Sequence, residues 1–172
     1  MKVKIYYIED SLKDLTGLRV QLKRRGFLVF PAGDKDFEND RAVLSLYLQN
    51  ATPEHSKAAE DLLAAIDPDV FLIDMKLWGN KLGGMKLYNE ILRPSAKLGD
   101  KKYIFISIEN FDDPTLPMGS SFESVAKINS DRGINYESLA KEIKVKVNKL
   151  LGLKPTLWER FCAFFDGMED AI

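Results

Sequence analysis

The sequence predicts an α/β protein built on a doubly wound, five-stranded parallel sheet. Three observations carry this. Short apolar runs rich in β-branched and aromatic residues recur at residues 3–8, 27–30, 70–73, 103–106 and 122–128. Segments with apolar residues at helical spacing separate most of them. Strands that alternate with helices need crossover connections, which cover both faces of a parallel sheet.

Val3-Lys4-Ile5-Tyr6-Tyr7-Ile8 is apolar after Lys4, as suits a strand buried on both faces, and it stops at Glu9-Asp10. Ser11 is a helix cap, followed by Leu12, Leu15, Leu18 and Leu22 on one face, with Gly26 as the stop. Phe27–Phe30 is a short second strand closed by Pro31 and Gly33. Val43, Leu44, Tyr47 and Leu48 predict a helix over about residues 38–50. Thr52-Pro53 opens another, which ends at Asp67-Pro68. Val70–Ile73 is the most apolar strand and ends at Asp74. A glycine-containing loop (Gly79, Gly83, Gly84) leads to a helix bearing Leu87, Tyr88, Ile91 and Leu92. Tyr103–Ile106 ends at Ser107. Pro114, Pro117 and Gly119 argue against a long helix over 109–121. Phe122–Ile128 is a short fifth strand. Leu139, Ile143, Val147, Leu150 and Leu151 mark a long amphipathic helix, and Thr156-Leu157-Trp158-Glu159 has the form of a capping box opening a last one. The division expected is one domain over 1–151, with a helical insertion at about 34–52, and a helical extension over 152–172.

Composition removes several function classes. The 172 residues are 45% apolar and 30% charged, enough for a core and too mixed for a disordered chain. Twenty-five basic against 26 acidic residues give a net charge of −1, so no nucleic-acid partner is expected. One cysteine, Cys162, excludes an internal disulfide and a cysteine zinc cluster; one histidine, His55, excludes multi-histidine metal sites. Cys162 reads as a core residue and His55 as an exposed one in a first helical turn. No apolar run is long enough to cross a bilayer, and the first residues lack the pattern of a signal peptide, so a cytoplasmic protein without membrane contact is expected.

Polar residues at the strand ends carry the chemical signal. Glu9-Asp10, Asp74 and Ser107 each end an apolar strand, and Lys127 ends the fourth candidate. In an open parallel sheet the carboxyl ends of the strands line one crevice, where ligands bind. Three carboxylates gathered there repel one another unless a cation intervenes, and Mg²⁺ is the hard divalent ion that takes such oxygens. A lysine and a hydroxyl would complete a phosphate site.

In this ordered set the chain resembles the receiver domains of response regulators. Ile5–Ser11 is similar to their first strand and acidic pair, Val70–Met75 to their phosphoacceptor strand, Ser107 to their hydroxyl residue and Lys127 to their lysine. The resemblance spans about residues 1–151. Asp74 to Ser107 is 33 residues and Ser107 to Lys127 is 20, each one strand–helix–strand step, whereas Asp10 to Asp74 is 64. The excess of roughly twenty residues over two plain units is assigned to the inserted helix. The resemblance implies a flavodoxin-like topology and a set of roles. Asp74 would accept a phosphoryl group from a histidine kinase or phosphotransfer protein. Asp10, the backbone carbonyl of Lys76 and Glu9 (partly through water) would hold Mg²⁺ with Asp74. Lys127 and Ser107 would bind the phosphoryl oxygens. The chain is then a stand-alone phosphoacceptor or adaptor of two-component signalling, phosphorylated only on its own aspartate and not an enzyme in the ordinary sense. A DNA-binding output domain is not expected after residue 151.

Two alternatives stand beside this reading. One is a degenerate receiver that binds partners without phosphorylation. The other is a phosphatase or phosphotransferase with an aspartyl nucleophile; the haloacid-dehalogenase type needs an acid two residues after the nucleophile, where this chain has Lys76. The departures from the receiver pattern are Ile128 after the lysine, Ser124 in place of an aromatic switch residue, bulky Ile108, and the Pro-rich segment where a fourth helix would lie. They touch the coupling to output more than the phosphorylation chemistry. Lys76 and Glu109 would flank the site and pair across it, slowing small phosphodonors. Lys141, Lys144, Lys146 and Lys149 read as the solvated face of the long helix. Leu157, Trp158, Phe161, Cys162, Phe165 and Met168 form one apolar stripe. That stripe is expected to dock on the domain or in a homodimer, ahead of a separate partner. Its acids, Glu159, Asp166, Glu169 and Asp170, disfavour a membrane.

Overall fold

The computed structural model describes residues 2–107, 122–127, 129–130 and 133–154. The readings made for Ile108, Glu109 and the segment 109–121, for Ile128, and for the apolar stripe after residue 155 lie outside the described residues.

Five strands form one parallel sheet: β1 (Lys4–Ile8), β2 (Leu28–Phe30), β3 (Val70–Asp74), β4 (Lys102–Ser107) and β5 (Phe122–Ala126), in the order β2-β1-β3-β4-β5. The order reverses between β1 and β3, and this reversal opens a crevice at the carboxyl ends of those two strands. Strand alternation divides the core into two layers. Tyr6, Ile8, Phe71, Ile73, Tyr103 and Phe105 face one side, which is covered by α2 (Asp34–Gln49), α3 (Pro53–Ile66) and α4 (Gly83–Leu87). Ile5, Tyr7, Val70, Leu72, Ile104 and Ile106 face the other, covered by α1 (Leu12–Arg24) and α5 (Tyr136–Leu150). Every residue of β3 is buried.

The helices begin where their caps dictate. Ser11 Oγ accepts the Asp14 N–H at 3.3 Å, Thr52 Oγ1 accepts the His55 N–H at 3.2 Å, and Asn135 Oδ1 accepts the Ser138 N–H at 3.1 Å. Two helices in series fill the long stretch between β2 and β3. The first starts at Asp34 rather than near residue 38, because its opening turn is polar. Asp34 and Asp36 there favour the helix dipole, and the Asp36 carboxylate accepts the Gly33 N–H at 3.1 Å. His55 is half-buried rather than exposed: its ring Nδ1 lies 2.5 Å from the Asn50 carbonyl oxygen and ties the α2–α3 turn. Of the four lysines on α5, Lys146 and Lys149 bind Glu123 of β5, at 3.2 and 2.6 Å. A short antiparallel pair, β6 (Asn129–Ser130) and β7 (Gly133–Ile134), precedes α5; it is too short to leave a periodic pattern in the sequence.

After Asp74 the chain makes a loop and re-enters a helix at α4, which widens into a π-helical turn over Tyr88–Leu92. Tyr88 packs edge-on against Tyr103 and Phe105, with ring centroids 4.8 and 5.5 Å apart. Gly84 brings this helix against the end of β3. Its N–H donates to the Met75 carbonyl at 3.1 Å, and a Cβ at this position would stand 2.2 Å from the Asp74 carbonyl oxygen and 2.9 Å from Ile73 Cγ2. Gly84→Ala is therefore expected to force α4 off the end of β3 and to cost about 1–3 kcal/mol, the usual range for overpacking, readable in urea denaturation.

Candidate functional site

The parallel register places the strand ends side by side. Ile8 pairs with Ile73, Asp74 with Ile106, and Ser107 with Ala126, so Glu9, Asp74, Ser107 and Lys127 emerge along one edge. They line a cleft of about 350 Å³ together with Asp10, Asp14, Met75, Lys76 and Lys81. All six residues singled out in the sequence, namely Glu9, Asp10, Asp74, Lys76, Ser107 and Lys127, thus meet in one place.

At its base lies a buried ion triad. Lys127 is 4% exposed, and its Nζ donates to Asp74 Oδ2 at 2.6 Å and to Glu9 Oε2 at 2.9 Å. Lys127 follows β5 directly, and the backbone pins it here through its N–H to the Ser107 carbonyl at 2.5 Å. Glu9 has no free lone-pair direction. Oε1 accepts the Asp10 and Ser11 N–H groups at 3.0 and 3.1 Å, and Oε2 accepts the Tyr7 hydroxyl at 2.6 Å besides Lys127. Asp74 Oδ1 has a longer bond, 3.3 Å from the Lys76 N–H. Asp10 Oδ2 accepts the Trp78 N–H at 2.7 Å.

The charges do not balance, and that sets the chemistry. Burial, then the negative charge of Asp74, push the Glu9 carboxyl up from its ordinary range, against the pull of Lys127 and the Tyr7 hydroxyl. Burial also pushes Asp10 up, reinforced by Glu9. Burial works against the Lys127 ammonium, but its two carboxylate partners outweigh it and hold the ammonium above the ordinary lysine range. At the base one ammonium thus faces three acids, and the whole lining sets four acids against three lysines. One oxygen each of Glu9, Asp10 and Asp74 lies within 4.8 Å of the other two. Hard oxygen donors with excess negative charge suit a hard divalent cation such as Mg²⁺.

The sequence did not single out Tyr7, Asp14, Lys81 or Trp78. Asp14 was within reach of pattern reasoning: it stands in the first turn of the helix that starts directly after the Glu9-Asp10 pair. The Tyr136 hydroxyl donates to Asp14 Oδ1 at 2.5 Å, and this approach depends on Gly17, where a Cβ would lie 2.5 Å from the Tyr136 ring. Tyr7 lies two residues before Glu9 and therefore on the same side of β1.

Three solved structures superpose on this frame. A response regulator from Thermotoga maritima shares 13% identity, with 86% of this chain and 99% of that chain covered and a TM-score of 0.52. The response regulator domain of Thermotoga maritima CheB shares 12%, with 90% and 100% covered and a TM-score of 0.52. The phosphorylated cyanobacterial phytochrome response regulator RcpA shares 19%, with 90% and 98% covered and a TM-score of 0.50. The chain has the receiver fold of response regulators. No family model and no curated relative matches its sequence, so the receiver architecture is carried here by a distant sequence. No described helix of this receiver fold is long and apolar enough to cross a membrane.

Lys127→Met tests the electrostatics of the receiver cleft. It leaves Glu9 and Asp74 buried without their countercharge, and removal of one partner from such a group costs about 3–5 kcal/mol. Urea denaturation should show that loss in the absence of divalent ions. Added Mg²⁺ should recover part of it, and more than it adds to the wild type.

Proposed function

We propose that the protein is a receiver-type phosphoacceptor of two-component signalling, modified on Asp74 by a histidine kinase or a phosphotransfer protein. The observation that carries this reading is the setting of Asp74: a carboxylate at the base of an open cleft, 2.6 Å from a buried ammonium and beside two further acids. Phosphoryl transfer asks a protein for positioning and charge neutralisation more than for covalent assistance, and this cleft supplies both.

An Asp74 carboxylate oxygen attacks the phosphorus of the donor. The new P–O bond forms as the bond to the donor nitrogen breaks, and the donor imidazole leaves with the electron pair. Lys127 stays in reach of Asp74 Oδ2 and offsets the charge gathering on the phosphoryl oxygens. The Ser107 hydroxyl lines the cleft and can donate a hydrogen bond to them. Asp10 and Asp74, with the Lys76 carbonyl, would hold the cation. Glu9, whose two oxygens already accept four hydrogen bonds, would contribute its negative charge beside the cation. A bound Mg²⁺ would supply the positive charge that lets a phosphate dianion share the cleft with three acids.

The test uses acetyl phosphate with Mg²⁺, followed by intact mass and by loss of the adduct in hydroxylamine, as an acyl phosphate requires. A single phosphoryl adduct on the wild type, absent from Asp74→Ala and strongly reduced in Asp10→Asn, is expected. Beryllofluoride with Mg²⁺ should raise the thermal midpoint of the wild type and leave Asp74→Ala unchanged. A wild type that is inert to both reagents and to a histidine-phosphorylated donor would leave the phosphorylation-independent binding module as the better reading.

A further inference from the structure

The turn that follows the acceptor strand has an unusual occupant. Leu77 and Asn80 exchange backbone hydrogen bonds, N–H to carbonyl, at 3.1 and 2.9 Å, which closes a tight turn with Trp78 and Gly79 at its centre. Both central residues have positive φ, +48° at Trp78 and +77° at Gly79. Such turns favour glycine, asparagine or aspartate at the first central position, because a bulky side chain is strained there. The Trp78 side chain carries a second cost: its Nε1 is buried with no hydrogen-bond partner among the described residues. A residue that is unfavourable twice over persists where its surroundings fix it, and such positions gather at functional sites.

Two contacts of Trp78 point in different directions. Its backbone N–H donates to Asp10 Oδ2 at 2.7 Å. Its side chain packs on the layer that contains Leu44 and Tyr47 of α2. There it shares a crevice of about 10 Å³ with Tyr6 and Ile8 of β1 and with Phe37, Asp40 and Leu44 of α2. The crevice holds one water at most, so the ring has little room to shift. Asp40 fastens this part of α2 to the sheet by accepting the Tyr6 hydroxyl at 2.5 Å.

We propose that Trp78 is a positioning residue for cation binding. Its indole, wedged between β1 and the inserted helix α2, fixes the turn whose N–H orients the Asp10 carboxylate, so α2 sets the cation affinity of a cleft it does not line. This rests on the reading of the cleft as a cation site. Linkage makes the coupling reciprocal: a partner that seats on α2 and moves the wedge changes cation affinity, and the bound cation changes the affinity for that partner by the same factor.

Mn²⁺ is the probe, since it takes the same oxygen ligands and its free-ion EPR signal is lost on binding. Competition by Mg²⁺ and urea stability of each variant are measured on the full chain. Trp78→Ala and Leu44→Ala should each weaken Mn²⁺ binding about tenfold, the low end for loss of a group that orients a ligand. Trp78→Phe, which keeps a ring in the wedge, should stay close to the wild type. Leu48→Ala, buried on the same helix but outside the crevice, should lose stability while keeping its Mn²⁺ affinity. If Trp78→Ala fails to fold, Leu44→Ala against Leu48→Ala decides alone. A wild type that binds Mn²⁺ while Trp78→Ala and Leu44→Ala bind equally well overturns the positioning role only. So does a Leu48→Ala variant weakened as much as Leu44→Ala. A wild type that binds neither Mn²⁺ nor Mg²⁺ overturns the cation-site reading and this inference with it.

Discussion

The Lys127 ammonium makes the rest of the molecule possible. The sheet topology brings Glu9 and Asp74 to adjacent strand ends, where both are almost fully buried. Two carboxylates so placed, with no positive group between them, would drive the strand ends apart or stay protonated. Lys127 reaches them from β5, the far side of β4, and it can do so only because four parallel strands are stacked in register. The same bridge leaves the cleft net negative. That residual charge leaves three hard oxygen donors close together, the kind of setting that suits a hard divalent cation.

The helix pair between β2 and β3 changes what the opposite layer can do. Here α2 and α3 lie in series and pack on each other, and α2 also touches α4. The layer that faces the loop after Asp74 is thereby thickened by a helix that approaches the end of β1 but does not line the cleft. Its polar links run to the sheet and to the neighbouring layer: Tyr6 to Asp40, Arg19 to Asp34 at 2.9 Å, and Tyr47 to Glu90 at 2.7 Å. It is therefore mechanically part of the domain, although its sequence has no counterpart in the ordinary strand–helix repeat.

Much of this was legible without coordinates. Strand-final Glu9, Asp10, Asp74, Ser107 and Lys127 could be collected because a parallel sheet leaves its carboxyl ends no other arrangement. The long Asp10–Asp74 spacing holds two helices in series, though the apolar residues place the start of α2 too late; the first turn is acidic and contributes to the cap, not to the core. The function of Glu9 was less legible. Its four hydrogen bonds depend on the Tyr7 hydroxyl, on two backbone amides at the helix start, and on a lysine 118 residues away. Trp78 could not be found at all. Its importance lies in the sign of a backbone angle and in which helix lies across the indole, and neither leaves a periodic trace in the sequence.

The notch at Gly17 has a mechanical consequence. The Tyr136 ring sits where a side chain on α1 would otherwise be, and its hydroxyl is anchored to Asp14 one turn earlier. The ring works as a key: a slide of α5 along α1 by one residue, about 1.5 Å, would drive it into the side chains on either side of the gap. Those two helices are locked in register on one side of the sheet. With the ring seated in that gap, α1 and α5 shift together or not at all.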